Sequence, residues 1–126
     1  MLFIKFIGKV TNNFPKKTYF CLINLYIMKI TIVSGARPNF MKIAPITRAI
    51  KAAQEAGKKI SYRLIYTGRQ DDTSLDASLF SDLDMKKPDG YLGVSGHDQS
   101  EVTAAIMLAF EKELNTHPAQ VVLVVD

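Results

Sequence analysis

A chain of 126 residues, about half of them apolar and 22% charged, is sized for one modest soluble domain. The net charge of +4 comes from the leader: the first 29 residues hold Lys5, Lys9, Lys16, Lys17 and Lys29 and no acid, whereas from Met28 onward 12 basic residues face 12 acidic ones. That neutral body offers no basic face for a nucleic-acid backbone, the single Cys21 excludes an intrachain disulfide, and the lack of a CxxC or Cys/His cluster argues against a metal site.

One cysteine fits a reducing compartment, so a cytoplasmic protein is expected. No apolar run approaches the roughly 20 residues that a membrane-spanning helix needs. Residues 19–28 come nearest, and they are interrupted by Asn24. No membrane or nucleic-acid partner is therefore expected.

Residues 1–27 show no clean period and are broken by Asn12, Asn13 and Pro15. They read as an extension, either a start assigned upstream of a natural Met28 or a basic, apolar anchor. Residues 28–126 are regular. Residues 29–34 are β-branched and apolar, as in a strand buried on both faces. Over 40–56, Ile43, Ile46, Ile50 and Ala53 recur at helical spacing, and Gly57 suits the helix end.

Residues 61–67 form a second strand, 68–73 a polar loop and 75–83 a short helix. Residues 86–95, with Pro88, Gly90 and Gly93, read as mostly irregular. Asp98 or Ser100 can cap a helix running to about Asn115, with Val102, Ile106, Ala109, Phe110 and Leu114 as its apolar face. His117-Pro118 ends it, and residues 121–125 are a third buried strand. Strands alternating with helices predict an α/β fold with a parallel sheet.

In such a fold the ligand crevice lies beyond the carboxyl ends of the strands. Three ends should meet there: Ser34-Gly35-Ala36-Arg37-Pro38, Thr67-Gly68-Arg69-Gln70 and Val125-Asp126. Pro38 suits a first helical turn, and the free N–H groups of a helix start favour an anion. Arg37 and Lys42 add positive charge suited to a phosphate or diphosphate, although solvated surface residues would look the same. Gln70, Asp71 and Asp72 form a polar loop. Asp126 is a candidate general acid or base. The dinucleotide and P-loop glycine fingerprints are both absent. A chain stopping at an interior-type strand reads as a fragment, and the open edge of that last strand would favour association.

The strings KITIVSGARPNFMKIAPI, YTGRQDD, LGVSGHDQSEVTAAIMLAFEKEL and PAQVVLVVD resemble the N-terminal part of the non-hydrolysing UDP-N-acetylglucosamine 2-epimerases. The resemblance implies a truncated Rossmann-like half of a two-domain glycosyltransferase-B-like fold. It implies a UDP-sugar substrate and interconversion of UDP-GlcNAc and UDP-ManNAc by elimination and re-addition of UDP, for polysaccharide synthesis. No metal or nicotinamide cofactor is implied, and a full-length homodimer is. By position, Arg37 and Lys42 match the family's phosphate-side arginine and helix lysine, and Pro38 lies between them. Gln70 stands where TGQH carries its histidine, and Gln99 stands where Gly-Ser-His carries another. Asp126 is either the catalytic aspartate or the residue before it. The fragment alone is expected to be inactive. A nucleotide-sugar glycosyltransferase domain and a non-catalytic binding fragment are the competing readings.

Overall fold

The computed structural model describes residues 2–6 and 27–125. Asp126, Cys21 and most of the 1–27 extension lie outside them. Five strands form one sheet: β1 (Leu2–Phe6), β2 (Met28–Ser34), β3 (Ile60–Tyr66), β4 (Gly90–Tyr91) and β5 (Val121–Val125). Their order is β1-β5-β2-β3-β4, and all neighbours are parallel except β1, which runs antiparallel to β5. The helices are α1 (Arg37–Glu55), α2 (Ala77–Asp82) and α3 (Gln99–Thr116). The α/β class expected from the alternation, and its Rossmann-like form implied by the resemblance, are the fold observed.

Local chemistry accounts for the boundaries. Helix α1 begins at Arg37, three residues before the periodic signal, because Pro38 fits an N-terminal turn that has no use for its missing N–H. It ends in a paired-carbonyl cap: Gly57 N–H bonds to Gln54 and Lys58 N–H to Ala53, with Gly57 at φ +87°. The Asp76 carboxylate caps α2 by accepting from Leu79 N–H, and Asp98, rather than Ser100, caps α3 by accepting from Ser100 N–H.

The main core lies on one face of the sheet. Ile32, Leu64, Tyr66, Leu123 and Val125 pack against Phe40, Ile43 and Ile50 of α1 and Leu79 and Phe80 of α2. Phe40 is fully buried and meets Phe80 edge-on at 5.2 Å between ring centres. Helix α3 lies on the opposite face, because its Glu113 pairs with Arg63, the strand neighbour of Leu64. Its predicted apolar face is only half-covered: no residue of α3 is buried, and Met107 and Leu108 are largely exposed.

Residues 86–95 are mostly irregular, as expected, with the two-residue Gly90–Tyr91 pairing in parallel with Ile65 and Tyr66. One expectation is corrected. The outer edge of β5 is not open, because Leu2–Phe6 pairs with it from Leu2↔Val125 to Phe6↔Val121. The leader thus supplies a fifth strand, and backbone pairing needs no side-chain period to announce it.

Candidate functional site

The strand order places the crevice. From central β2 the chain steps outward through β3 to β4, then returns to the other side of β2 as β5. The switch point therefore lies between the carboxyl ends of β2 and β5, where open α/β sheets bind ligands. Asn39, in the first turn of α1, spans this gap by donating its side-chain amide to the Val125 carbonyl. This holds the start of α1 against the end of β5.

Beside the switch point a cavity of about 490 Å³ opens over the ends of β2 and β3. Gly35, Thr67, Gly68, Asp72 and Ser95 line it, with Val102 and Ile106 of α3 as an apolar wall. Two depressions of about 640 Å³ lie elsewhere, one between β4 and α3 and the other between α1 and α2.

Arg37 is the first residue of α1, so its side chain starts at the positive end of the helix dipole. Its Nη1 donates to the Ser74 carbonyl at 2.7 Å and lies 3.9 Å from the Asp76 carboxylate. One short bond occupies one of five guanidinium donors, and the side chain remains 42% exposed. Pro38 follows at the second helical position and is exposed.

The other sequence-nominated residues are less concentrated. Lys42 sits on the exposed side of α1. Gln70 is exposed in the loop after β3, and Gln99 is exposed as the first residue of α3. None of Arg37, Pro38, Lys42, Gln70 and Gln99 is among the residues lining the cavity, although Gly35, two positions before Arg37, is. Asp126, the catalytic candidate, lies outside the described residues.

The structure also brings forward residues that periodicity did not nominate. Tyr66, 5% exposed at the end of β3, donates its hydroxyl to Asp72 Oδ2 at 2.6 Å. Asp72 Oδ1 accepts from Ser74 N–H at 2.9 Å. Burial, then the bond to this carboxylate, pushes the Tyr66 phenol up to about 12. The Tyr66 hydroxyl, followed by the Ser74 hydroxyl and N–H, holds Asp72 below its ordinary value. The two groups are driven apart, and the pair ties the loop to the end of β3. An Asp-x-Ser turn signal at 72–74 could have pointed to it. Arg69 and Asp71 form an exposed two-bond pair at 2.9 and 2.8 Å, which neutralises that part of the rim.

Among the described residues, no group of three or more His, Cys, Asp or Glu side chains could hold a metal ion. No described helix is long and apolar enough to cross a membrane. The described groups at the crevice are thus an arginine at a helix start, polar backbone and a tied-down loop, an arrangement that can hold an anion.

No family model matches the chain. It is 28% identical over 97 residues to the UDP-N-acetylglucosamine 2-epimerase of Methanocaldococcus jannaschii, a match covering 77% of this chain and 25% of that protein. It is 30% identical over 84 residues to the UDP-2,3-diacetamido-2,3-dideoxy-D-glucuronate 2-epimerase of Pseudomonas aeruginosa, covering 67% of this chain and 23% of the other. Among solved structures, the M. jannaschii UDP-GlcNAc 2-epimerase in complex with UDP-GlcNAc and UDP aligns with a TM-score of 0.59 at 26% identity. That alignment covers 73% of this chain and 24% of the other. The chain spans about a quarter of the length of the curated relatives it matches.

Proposed function

We propose that this chain, a homologue of the UDP-N-acetylglucosamine 2-epimerases, builds the diphosphate-holding side of a nucleotide-sugar site. One observation carries the reading: α1 opens directly from central β2 at the switch point with Arg37 as its first residue, in a fold shared with an epimerase bound to UDP-GlcNAc and UDP. Helix N–H groups and a guanidinium with free donors suit a diphosphate.

The reaction so served is epimerisation at C2. A proton leaves C2 as UDP leaves C1, giving a glycal with a C1–C2 double bond; UDP then returns to C1 and a proton to the opposite face of C2, so that only C2 is inverted. Arg37 stabilises the negative charge that builds on the departing UDP, which is a large catalytic contribution in a preorganised site. Lys42 adds charge along the same helix, while Gln70, in the loop after β3, and Gln99, at the start of α3, contact the ligand from the border of the crevice. Asp126, or the residue after it, supplies a carboxylate. The complete site lies between two Rossmann-like halves of a glycosyltransferase-B-like enzyme that works as a homodimer in the cytoplasm. Residues 28–126 belong to the first half, and 1–27 are an extension to it. The chain by itself gives no turnover.

The test is titration of the 15N-labelled chain with UDP and, separately, with uridine. UDP should shift amide resonances at the start of α1 and in residues 67–73, and Arg37→Gln should weaken binding about tenfold, the scale of one lost charged contact. Uridine should bind no better to the parent than to Arg37→Gln. UDP at millimolar concentration leaving these resonances in place, or epimerase turnover by the chain alone, would sink the respective part of the reading.

A further inference from the structure

Arg37 and the loop after β3 come from different elements, yet one unbroken series of contacts joins them. The Tyr66 hydroxyl donates to Asp72 Oδ2, Asp72 Oδ1 accepts from Ser74 N–H, and the Ser74 carbonyl accepts from Arg37 Nη1, at 2.6, 2.9 and 2.7 Å. Tyr66 is the firm end of this series. Its ring is buried, tilted against Phe40 at 6.0 Å and edge-on to Tyr91 at 6.3 Å. Asp72 carries that firmness from the core to an exposed turn, and Ser74 passes it to an arginine that the turn would otherwise leave free. The other neighbour of Arg37 is a weaker tether. Asp76 lies 3.9 Å away with both groups exposed, and its Oδ1 already accepts from the Ser78 hydroxyl and Leu79 N–H.

We propose that Asp72 is a positioning residue: by fixing Ser74 to Tyr66 it holds the Arg37 guanidinium in place at the start of α1, ready to meet the phosphates of a ligand. The inference rests on the reading that Arg37 binds those phosphates. Its physical basis is preorganisation. A long side chain ordered before binding loses less freedom on binding, and one such side chain is worth about fivefold in affinity. Only one guanidinium donor is spent on Ser74, so the remaining donors stay available to the ligand.

The experiment uses the full chain with Asp72→Ala, Tyr66→Phe and Arg37→Gln, alone and combined, and takes two readouts. The first needs no ligand: in the parent, the Arg37 guanidinium NH resonances should be dispersed and slow to exchange, and Asp72→Ala should move them to the averaged position of a free arginine. The second is UDP affinity. Asp72→Ala should weaken it about fivefold in the parent and have no further effect in the Arg37→Gln background, because both changes remove the same contribution. Tyr66→Phe keeps the buried ring and should shift both readouts in the same direction by less, so the idea stays testable should Asp72→Ala fail to fold. Arg37 resonances already averaged in the parent, or unmoved by both substitutions, overturn the proposal. So does UDP binding that Arg37→Gln weakens and the other two leave intact. An ordered Arg37 tether in a chain that binds no UDP overturns the phosphate reading, and with it the role of the tether in ligand binding.

Discussion

Gly68 should tolerate no side chain, and the reason lies with Tyr66 rather than with the backbone. A Cβ added at Gly68 would stand 2.5 Å from Tyr66 Cε1, 2.9 Å from Cζ and 3.0 Å from Oη. Gly57 and Gly93 are the described glycines with positive φ, so Gly68→Ala meets a steric problem and no conformational one. Carbon atoms rest at about 3.5–4.0 Å, so the ring must retreat by roughly 1 Å. It has little room to do so, being 5% exposed and held at its hydroxyl by Asp72. Retreat breaks a bond to a charged acceptor, about 1.5–3 kcal/mol, and loosens ring contacts with Phe40 and Tyr91 worth about 0.5–1.5 kcal/mol each when intact.

We expect Gly68→Ala to cost about 3 kcal/mol, or roughly 10 °C in melting temperature for a domain of this size. Denaturant melts followed by far-UV circular dichroism measure it. The decisive control is the same substitution in a Tyr66→Leu background, where the ring is gone and the added methyl should cost less than about 0.5 kcal/mol. A parent-background cost below about 1 kcal/mol, or equal costs in the two backgrounds, would refute the steric account.

Two further outcomes follow from the same geometry. Tyr66 titrates at about 12 in the fold against an ordinary value of 10.0, so the unfolded chain ionises first. The contribution of this group is whole below pH 10 and is lost as pH rises from 10 to 12. Tyrosinate absorbance of the parent minus that of Tyr66→Phe should show the late ionisation, and a difference curve centred near pH 10 would contradict it. Removing residues 1–6 strips β1 from the β5 edge and leaves its backbone donors and acceptors unpaired. Light scattering should then show association that grows with concentration; a truncated chain no more associated than the parent would mean that β1 does not guard this edge.

The candidate site turns on a few residues whose legibility differs for physical reasons. Arg37 and Pro38 stood out because a strand-to-helix turn is local: the run before them is strand-like, the run after them helical, and the anion-holding character of a helix start follows from backbone alone. The contacts that hold Arg37 were hidden, because Ser74 lies 37 positions away and only the return of the chain along β3 brings it near. Gln70 and Gln99 were nominated by alignment of short strings, yet both are exposed and neither lines the cavity, since a position in a motif does not fix where a loop carries its side chain.

Periodicity and turn chemistry were enough for the class of fold, the three longer parallel strands and the helices, because those signals repeat within a few residues and need no distant partner. Strand order, the switch point and the face that α3 covers came from tertiary pairing. So did the two-residue β4, too short to carry a period, and the antiparallel β1, whose pairing with β5 joins the two ends of the described chain. Backbone hydrogen bonds between strands are indifferent to side-chain identity, so the residues alone do not announce which edges will meet.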